Sequence, residues 1–112
     1  MNEIKVPKEI QIGGHTYKLY FNEMVEKDGH YATLLHDSQE VWFCKGRPQT
    51  QMVQTFLHEM VHIISRAYCV SRLEERDIDL LSEGLMQLLV SNFGITMNWG
   101  DIEEIIPDGI KK

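Results

Sequence analysis

Two histidines and a glutamate near the middle of the chain have the spacing of a metal-binding motif. Residues 57–64 read Leu-His-Glu-Met-Val-His-Ile-Ile and contain His58-Glu59-x-x-His62 within an apolar run. On a helix, residues four apart leave the same face one turn apart, so both imidazoles could bind one zinc ion. Glu59 would project about 100° from His58, close enough to take a proton from a metal-activated water that attacks a carbonyl. The motif therefore predicts a zinc site with Glu59 as general base.

The motif lies within a stretch of helical periodicity. Apolar side chains recur at three- and four-residue intervals around it: Met52, Val53, Phe56, Leu57, Met60, Val61, Ile64 and Tyr68. This pattern predicts an amphipathic helix over about residues 50–68, with Thr50 as its N-cap. A second periodic stretch predicts a helix from about 73 to about 93, ended by Gly94. The short connection between them predicts an antiparallel helix pair.

The first half of the chain has the alternation of strands. Residues 10–12 and 17–21 flank Gly13-Gly14, which is a hairpin signal, and residues 31–35 and 40–44 flank a second turn at 36–39. Residues 25–30 are polar, contain Asp-Gly and predict a further turn, and residues 94–112 predict a short closing segment. The predicted fold class is α+β: a small antiparallel sheet of about three to four strands, within residues 10–44, packed on the helix pair.

Length and charge limit the classes of function. The 112 residues predict one domain, residues 1–112, with a single core. A net charge of −6 argues against nucleic-acid binding, and no run approaches the roughly 18 apolar residues of a membrane helix. Because the N-terminus lacks the apolar stretch of a signal peptide, a cytoplasmic location is expected. Cys44 and Cys69, which form no C-x-x-C motif, are expected to be reduced thiols.

Two histidines do not complete a zinc site, because a catalytic zinc usually has three protein ligands and one open position. A Gly at 65 and a His at 68 would continue a known variant of the motif, but Ser65 and Tyr68 stand there, and no histidine follows His62. A downstream third ligand must therefore be acidic. The second predicted helix offers Glu74, Glu75, Asp77, Asp79 and Glu83.

Hairpin geometry narrows this choice. In two antiparallel helices joined by a short loop, residues at equal distances from the loop face each other. Counted from helix ends near Tyr68 and Leu73, His62 faces Asp79 and His58 faces Glu83. The expected arrangement has Asp79 on the metal and Glu83 holding a histidine N–H, or the reverse. The other three acids are expected to be a solvated first turn, favourable at a helix N-terminus.

These residues carry a family resemblance. The block His58-Glu59-x-x-His62, followed by Asp79-x-Leu81-Ser82-Glu83-Gly84-Leu85, resembles the compact zincin-type metallopeptidase domains of phages and prophages. It is also distantly similar to the ImmA/IrrE peptidases and to the gluzincins, in which an acidic ligand on a following helix comes after HExxH. The resemblance spans about residues 10–93, and it implies a minimal zincin-like fold, bound Zn²⁺ and peptide-bond hydrolysis.

The expected function is therefore zinc-dependent cleavage of a protein or peptide substrate, with no nucleic-acid or membrane partner. Residues 40–44 lead into the active helix and are the expected edge strand on which the substrate would lie. Five side chains are candidates for assisting the oxyanion: Tyr17, Tyr31, Tyr68, His30 and His36. Two alternatives stay open: a non-catalytic protein-binding module with a structural zinc, and a metal-dependent hydrolase of a non-peptide amide.

Overall fold

The computed structural model describes residues 2–23, 25, 31–68 and 73–105. Within these ranges it contains seven strands and two long helices. The strands are β1 (Asn2–Lys5), β2 (Glu9–Ile12), β3 (His15–Asn22), β4 (Ala32–Leu35), β5 (Glu40–Phe43), β6 (Ile95–Asn98) and β7 (Glu103–Ile105). The helices are α1 (Gln49–Tyr68) and α2 (Glu75–Met86). Most of the turn predicted at 25–30, the thiol of Cys69 and the chain from residue 106 onward lie outside the described residues.

Both predicted hairpins are confirmed. Strand β2 pairs antiparallel with β3, and β4 pairs antiparallel with β5. The first turn requires left-handed backbone, which Gly13 and Gly14 supply with φ values of 63° and 81°. A side chain at Gly13 would also place its Cβ 2.5 Å from that of Ala67, so the turn packs directly on the end of α1.

The prediction of an all-antiparallel sheet is wrong. The five-stranded sheet has the order β2-β3-β5-β4, with β7 also paired to β3, and both β5 and β7 run parallel to β3. After β3 the chain passes to the sheet edge as β4 and only then returns as β5 beside β3. Strands β1 and β6 form a separate parallel pair. The α+β class, with a sheet packed on a helix pair, is confirmed.

The helix ends differ slightly from the predicted ones. Helix α1 begins at Gln49, where the carbonyl of Pro48 accepts a hydrogen bond from the N–H of Met52, so Thr50 lies inside the first turn rather than at the N-cap. Helix α2 begins at Glu75 and continues as π-helical turns over Gln87–Asn92. Gly94, with φ of 63°, follows these turns as predicted, because a left-handed residue ends a helix most easily when it is glycine.

The core lies between one face of the sheet and the inner face of α1. Alternate residues of β3 and β5 point into it, which is the expected result of the two-residue period of a strand: Tyr17, Leu19, Phe21, Val41 and Phe43. They pack on Val53, Met60 and Ile63 of α1. Each large apolar side chain buried here contributes about 1.5–3 kcal/mol, which holds α1 rigidly on the sheet. No helix in the described part of the chain is long and apolar enough to cross a membrane.

Candidate metal centre

The side chains in and around the motif on helix α1 lie in two different environments. Met60, Val61 and Ile63 are buried in the core, whereas the rings of His58 and His62 are only partly covered and face the other side. The ring centroids of the two histidines lie 4.9 Å apart, as expected for neighbours one turn apart on a helix. The apolar half of the helix therefore fixes the direction in which both imidazoles point.

Helix α2 supplies a carboxylate to both rings. One oxygen of Glu75 lies 2.8 Å from Nε2 of His58, and the other lies 3.0 Å from Nε2 of His62. Among the described residues, ligand atoms of these three side chains lie within 4.8 Å of one another and could hold a metal ion. Two imidazoles and one carboxylate are a ligand set that catalytic zinc sites use.

Asp79 contacts the opposite side of one ring. Its Oδ1 lies 2.9 Å from Nδ1 of His58, on the nitrogen that faces away from the Glu75 contact. A carboxylate in this place accepts the remaining ring N–H, which sets the tautomer and orientation of a metal-binding histidine. Asp79 therefore has the position of an outer partner that orients His58.

The residues predicted for the third ligand take different places from those expected. Neither Asp79 nor Glu83 belongs to the three-residue group, and Glu75, assigned to a solvated first turn by the sequence, does. Glu83 is exposed and lines neither the cluster nor the adjacent pocket. The predicted pattern of two acids one turn apart is present, but it is formed by Glu75 and Asp79 instead of Asp79 and Glu83.

A contact between the helices explains this shift of one turn. The backbone N–H of Leu73 donates a hydrogen bond of 3.0 Å to Oγ of Ser65, a buried residue one turn before the end of α1. The chain has thus already returned along α1 before α2 begins. Counting residues equally from Tyr68 and Leu73 therefore places each partner one turn too late. The contacts of His62 with Glu75 and of His58 with Asp79 also show that the helices run antiparallel.

Glu59, the glutamate of the motif, is buried beside the cluster. Only 8% of its surface is exposed, it lines the pocket, and its carboxylate makes no hydrogen bond or ion pair within the described part of the chain. Burial raises the pKa of this carboxyl from 4.5 to about 7, against the lowering effect of His58 and with a further rise from the charge of Glu75. A carboxylate with this environment can exchange a proton near neutral pH.

A pocket of about 570 Å³ opens beside the cluster. Its walls come from four elements: strand β4 with its flanking residues, the β4–β5 turn, α1 and α2. The lining residues are Tyr31, Ala32, Leu34, His36, Gln51, Gln54, Thr55, His58, Glu59, His62, Glu75 and Asp79. The pocket thus brings the whole predicted motif together with residues from the first half of the chain.

The strand beside this pocket is β4, which corrects the prediction that residues 40–44 form the open edge. Strand β5 is paired on both sides, by β3 and by β4, while β4 ends the sheet order. The N–H of Cys44 donates to the carbonyl of Tyr31 at 2.8 Å. Hydrogen-bonded pairs alternate along an antiparallel ladder, so Ala32 and Leu34 direct their backbone groups away from β5.

The five residues predicted as candidates for assisting the oxyanion differ in their positions relative to the pocket. Tyr31 and His36 line the pocket, and the hydroxyl of the buried Tyr17 lies 3.1 Å from Nδ1 of His36. Tyr68 is exposed, and its hydroxyl accepts a hydrogen bond from the N–H of Gly13 in the β2–β3 turn. His30 lies outside the described residues. Of the four candidates that the structure describes, Tyr31 and His36 therefore have positions from which they could touch a molecule in the pocket.

Comparison of the chain with models of known protein families, with curated proteins and with solved structures returns no match.

Proposed function

We propose that this protein is a zinc-dependent metallopeptidase in which His58, His62 and Glu75 bind the metal. The support for zinc is the ligand set of two imidazoles and one carboxylate, with Asp79 placed to orient His58. When bound, zinc would lower the pKa of a water molecule and polarise the carbonyl under attack. Two ligands come from one rigid helix and the third from its neighbour, so the site needs both helices.

The observation that carries the catalytic part of the proposal is the position of Glu59. A carboxylate that is largely buried yet open to a pocket, with no hydrogen bond from the described residues, is costly to keep in a folded protein. A purely structural zinc clamp has no use for it. In peptide hydrolysis, Glu59 would accept a proton from the attacking water and later donate it to the leaving amine.

The free edge of β4 supports a peptide as the substrate. Ala32 and Leu34 line the pocket, and their outward-directed backbone groups could pair with one extended segment of another chain. Such pairing would hold the segment along the pocket, beside His58 and Glu59. A small non-peptide amide would leave this edge unused, which is why we place peptide hydrolysis above the other amide-hydrolase alternative.

The test combines metal content with cleavage. Untagged protein is loaded with zinc, measured by elemental analysis and incubated with a mixture of proteome-derived peptides that is read by mass spectrometry. We expect about one zinc per chain and new peptide ends. Glu59→Gln should retain zinc but cleave about 10²–10⁴-fold more slowly, which is the usual contribution of a general acid–base group. Glu74→Gln, an exposed acid beside the cluster, is the matched control and should cleave normally.

Each failure has its own meaning. Protein that takes up no zinc when it is supplied would overturn the metal site itself. Protein that binds zinc but shows no cleavage, in wild type and Glu59→Gln alike, would instead indicate a binding module with a structural metal.

A further inference from the structure

The pocket extends well beyond the metal cluster, along the same face of α1. Gln51, Gln54 and Thr55 precede His58 by seven, four and three residues, so they lie one to two helical turns toward the N-terminus of α1. All three are partly buried, and all three line the pocket. We call these three residues the amide row, because two of them end in primary amides.

The amide row lacks hydrogen-bond partners among the described residues of the protein. No side-chain hydrogen bond to Gln51, Gln54 or Thr55 occurs in the described residues, although Gln49, just before them, bonds the backbone of Met97 through both atoms of its amide. None of their polar atoms is both fully buried and unpartnered, so all three side chains are open to the pocket, where a ligand or water would meet them. Three unpartnered polar groups in one row, facing a cavity, therefore have the arrangement of a surface that hydrogen-bonds a ligand.

The two ends of the pocket differ in charge. The guanidinium of Arg47 lies 4.8 Å from the ring centre of Tyr31, which places Tyr31 near the N-terminal end of α1. His36, at the other end of β4, lies beside His62 and Ser65. Strand β4 therefore runs alongside α1 from the amide row toward the metal cluster. The acidic lining residues belong to the cluster end, whereas the amide row itself carries no charge.

We propose that the amide row is a specificity subsite that selects an uncharged polar side chain, an amide or a hydroxyl, on one side of the cleaved peptide bond. This inference rests on the proposed peptidase function and assigns its substrate class. Primary amides offer a donor and an acceptor side by side, which matches another amide or a hydroxyl. A charged side chain would lose hydration beside the amide row, which carries no charge of its own to compensate for that loss.

A synthetic peptide library randomised on both sides of the cleavable bond tests the proposal. Zinc-loaded wild type should enrich Asn, Gln, Ser or Thr at one position, on one side only. Gln54→Leu should reduce that enrichment about five- to tenfold, the effect of losing one hydrogen bond, and should favour an apolar residue at the same position. Gln54→Glu should shift the preference to Lys or Arg, a gain that misfolding cannot produce. Thr55→Val should have a smaller effect in the same direction.

Two substitutions outside the pocket provide matched controls. Thr50→Val changes an exposed threonine on the same helix, and Gln11→Leu changes an exposed glutamine on β2. Both should leave the selected residues unchanged. Selection that is identical in wild type and Gln54→Glu would overturn the subsite.

A binding measurement separates this inference from the peptidase proposal. Zinc-loaded Glu59→Gln is used to capture peptides from the same library without cleaving them. If Glu59→Gln captures uncharged polar peptides in a way that depends on Gln54, but wild type cleaves nothing, the subsite is supported and the peptidase proposal is overturned. If wild type cleaves peptides but substitution of Gln54 does not change which peptides are cleaved, the peptidase proposal is supported and the subsite is overturned.

Discussion

The two helices that form the site contribute to it in opposite ways. Helix α1 is anchored by a continuous buried face, so the side chain of His58 is only 18% exposed and Glu59 is almost fully covered. Helix α2 offers Glu75 and Asp79 from an open surface, with side chains 62% and 59% exposed. Two of the candidate ligand side chains are thus fixed by the packing of α1, and the third depends on how the second helix is placed.

This difference assigns separate roles to local and long-range structure. The spacing of His58 and His62 follows from helix geometry alone, whatever surrounds the helix. The position of Glu75 depends on the path of the chain between the helices, which the bond from Leu73 to Ser65 records. Substitutions on α2 therefore test the part of the site that the motif does not determine.

The largest effect is expected at the first residue of α2. Glu75→Ala should lower the affinity for zinc by more than the roughly 100-fold that marks an outer partner, because it removes a direct ligand. Glu83→Ala, the alternative predicted from the sequence, should bind zinc like wild type. Competition with a chromophoric chelator measures both affinities. Equal losses in the two variants, or a loss in Glu83→Ala alone, would contradict the assignment of Glu75.

An intermediate effect is expected one turn further along. Asp79→Asn should weaken zinc binding about 10–100-fold, because His58 would lose the acceptor that fixes its tautomer and ring orientation. The exposed Asp77, which lies outside the cluster, provides the control Asp77→Asn. A loss in Asp79→Asn as large as that in Glu75→Ala would identify Asp79 as a direct ligand.

The stability of the metal-free protein should depend on pH through Glu59, which lies on the anchored helix α1. The pKa of Glu59 is raised from 4.5 to about 7 in the fold, so the folded state holds this proton more tightly than the unfolded chain. The contribution of Glu59 to wild-type stability should therefore fall as pH rises from about 4.5 to about 7. Glu59→Gln stays neutral, and it should exceed wild type by about 1–3 kcal/mol above that range and by little below it.

Urea unfolding of the metal-free protein, in the presence of a chelator, measures this difference. Added zinc should narrow the gap above neutral pH, because a nearby cation stabilises the ionised carboxylate. An advantage of Glu59→Gln that is the same at both ends of the range would mean that burial does not set the pKa of this group.

The smallest effect is expected at the contact that sets the helix register. Ser65→Ala removes the acceptor for the N–H of Leu73 and should reduce the free energy of unfolding by about 1–2 kcal/mol. Zinc affinity should fall slightly with it, because the start of α2 is held less firmly. Ser82→Ala is the control: this buried hydroxyl bonds the carbonyl of Asp79 within its own helix and should not alter zinc affinity. A zinc affinity unchanged in Ser65→Ala would show that other contacts set the register.

Much of the fold could be predicted because its signals are local. The paired glycines at 13 and 14 specify a tight turn, and the apolar period specifies α1 to within a residue of its observed start. The parallel pairing of β3 with β5 could not be predicted, because adjacent hairpins have the same alternation in either sheet order. The prediction of residues 40–44 as the open edge rests on their position just before α1, and a strand's place along the chain does not determine its place in the sheet order.

The sequence by itself determined that His58 and His62 share one helix face, since residues four apart on a helix do so by geometry alone. It also favoured an acidic third ligand after His62, because no histidine follows and five acids occur between residues 74 and 83. Only the tertiary structure decided that Glu75 reaches both rings, that Asp79 lies behind His58 and that the amide row shares the pocket. These relations depend on the return path of the chain and on the order of the strands, which arise from packing between distant segments.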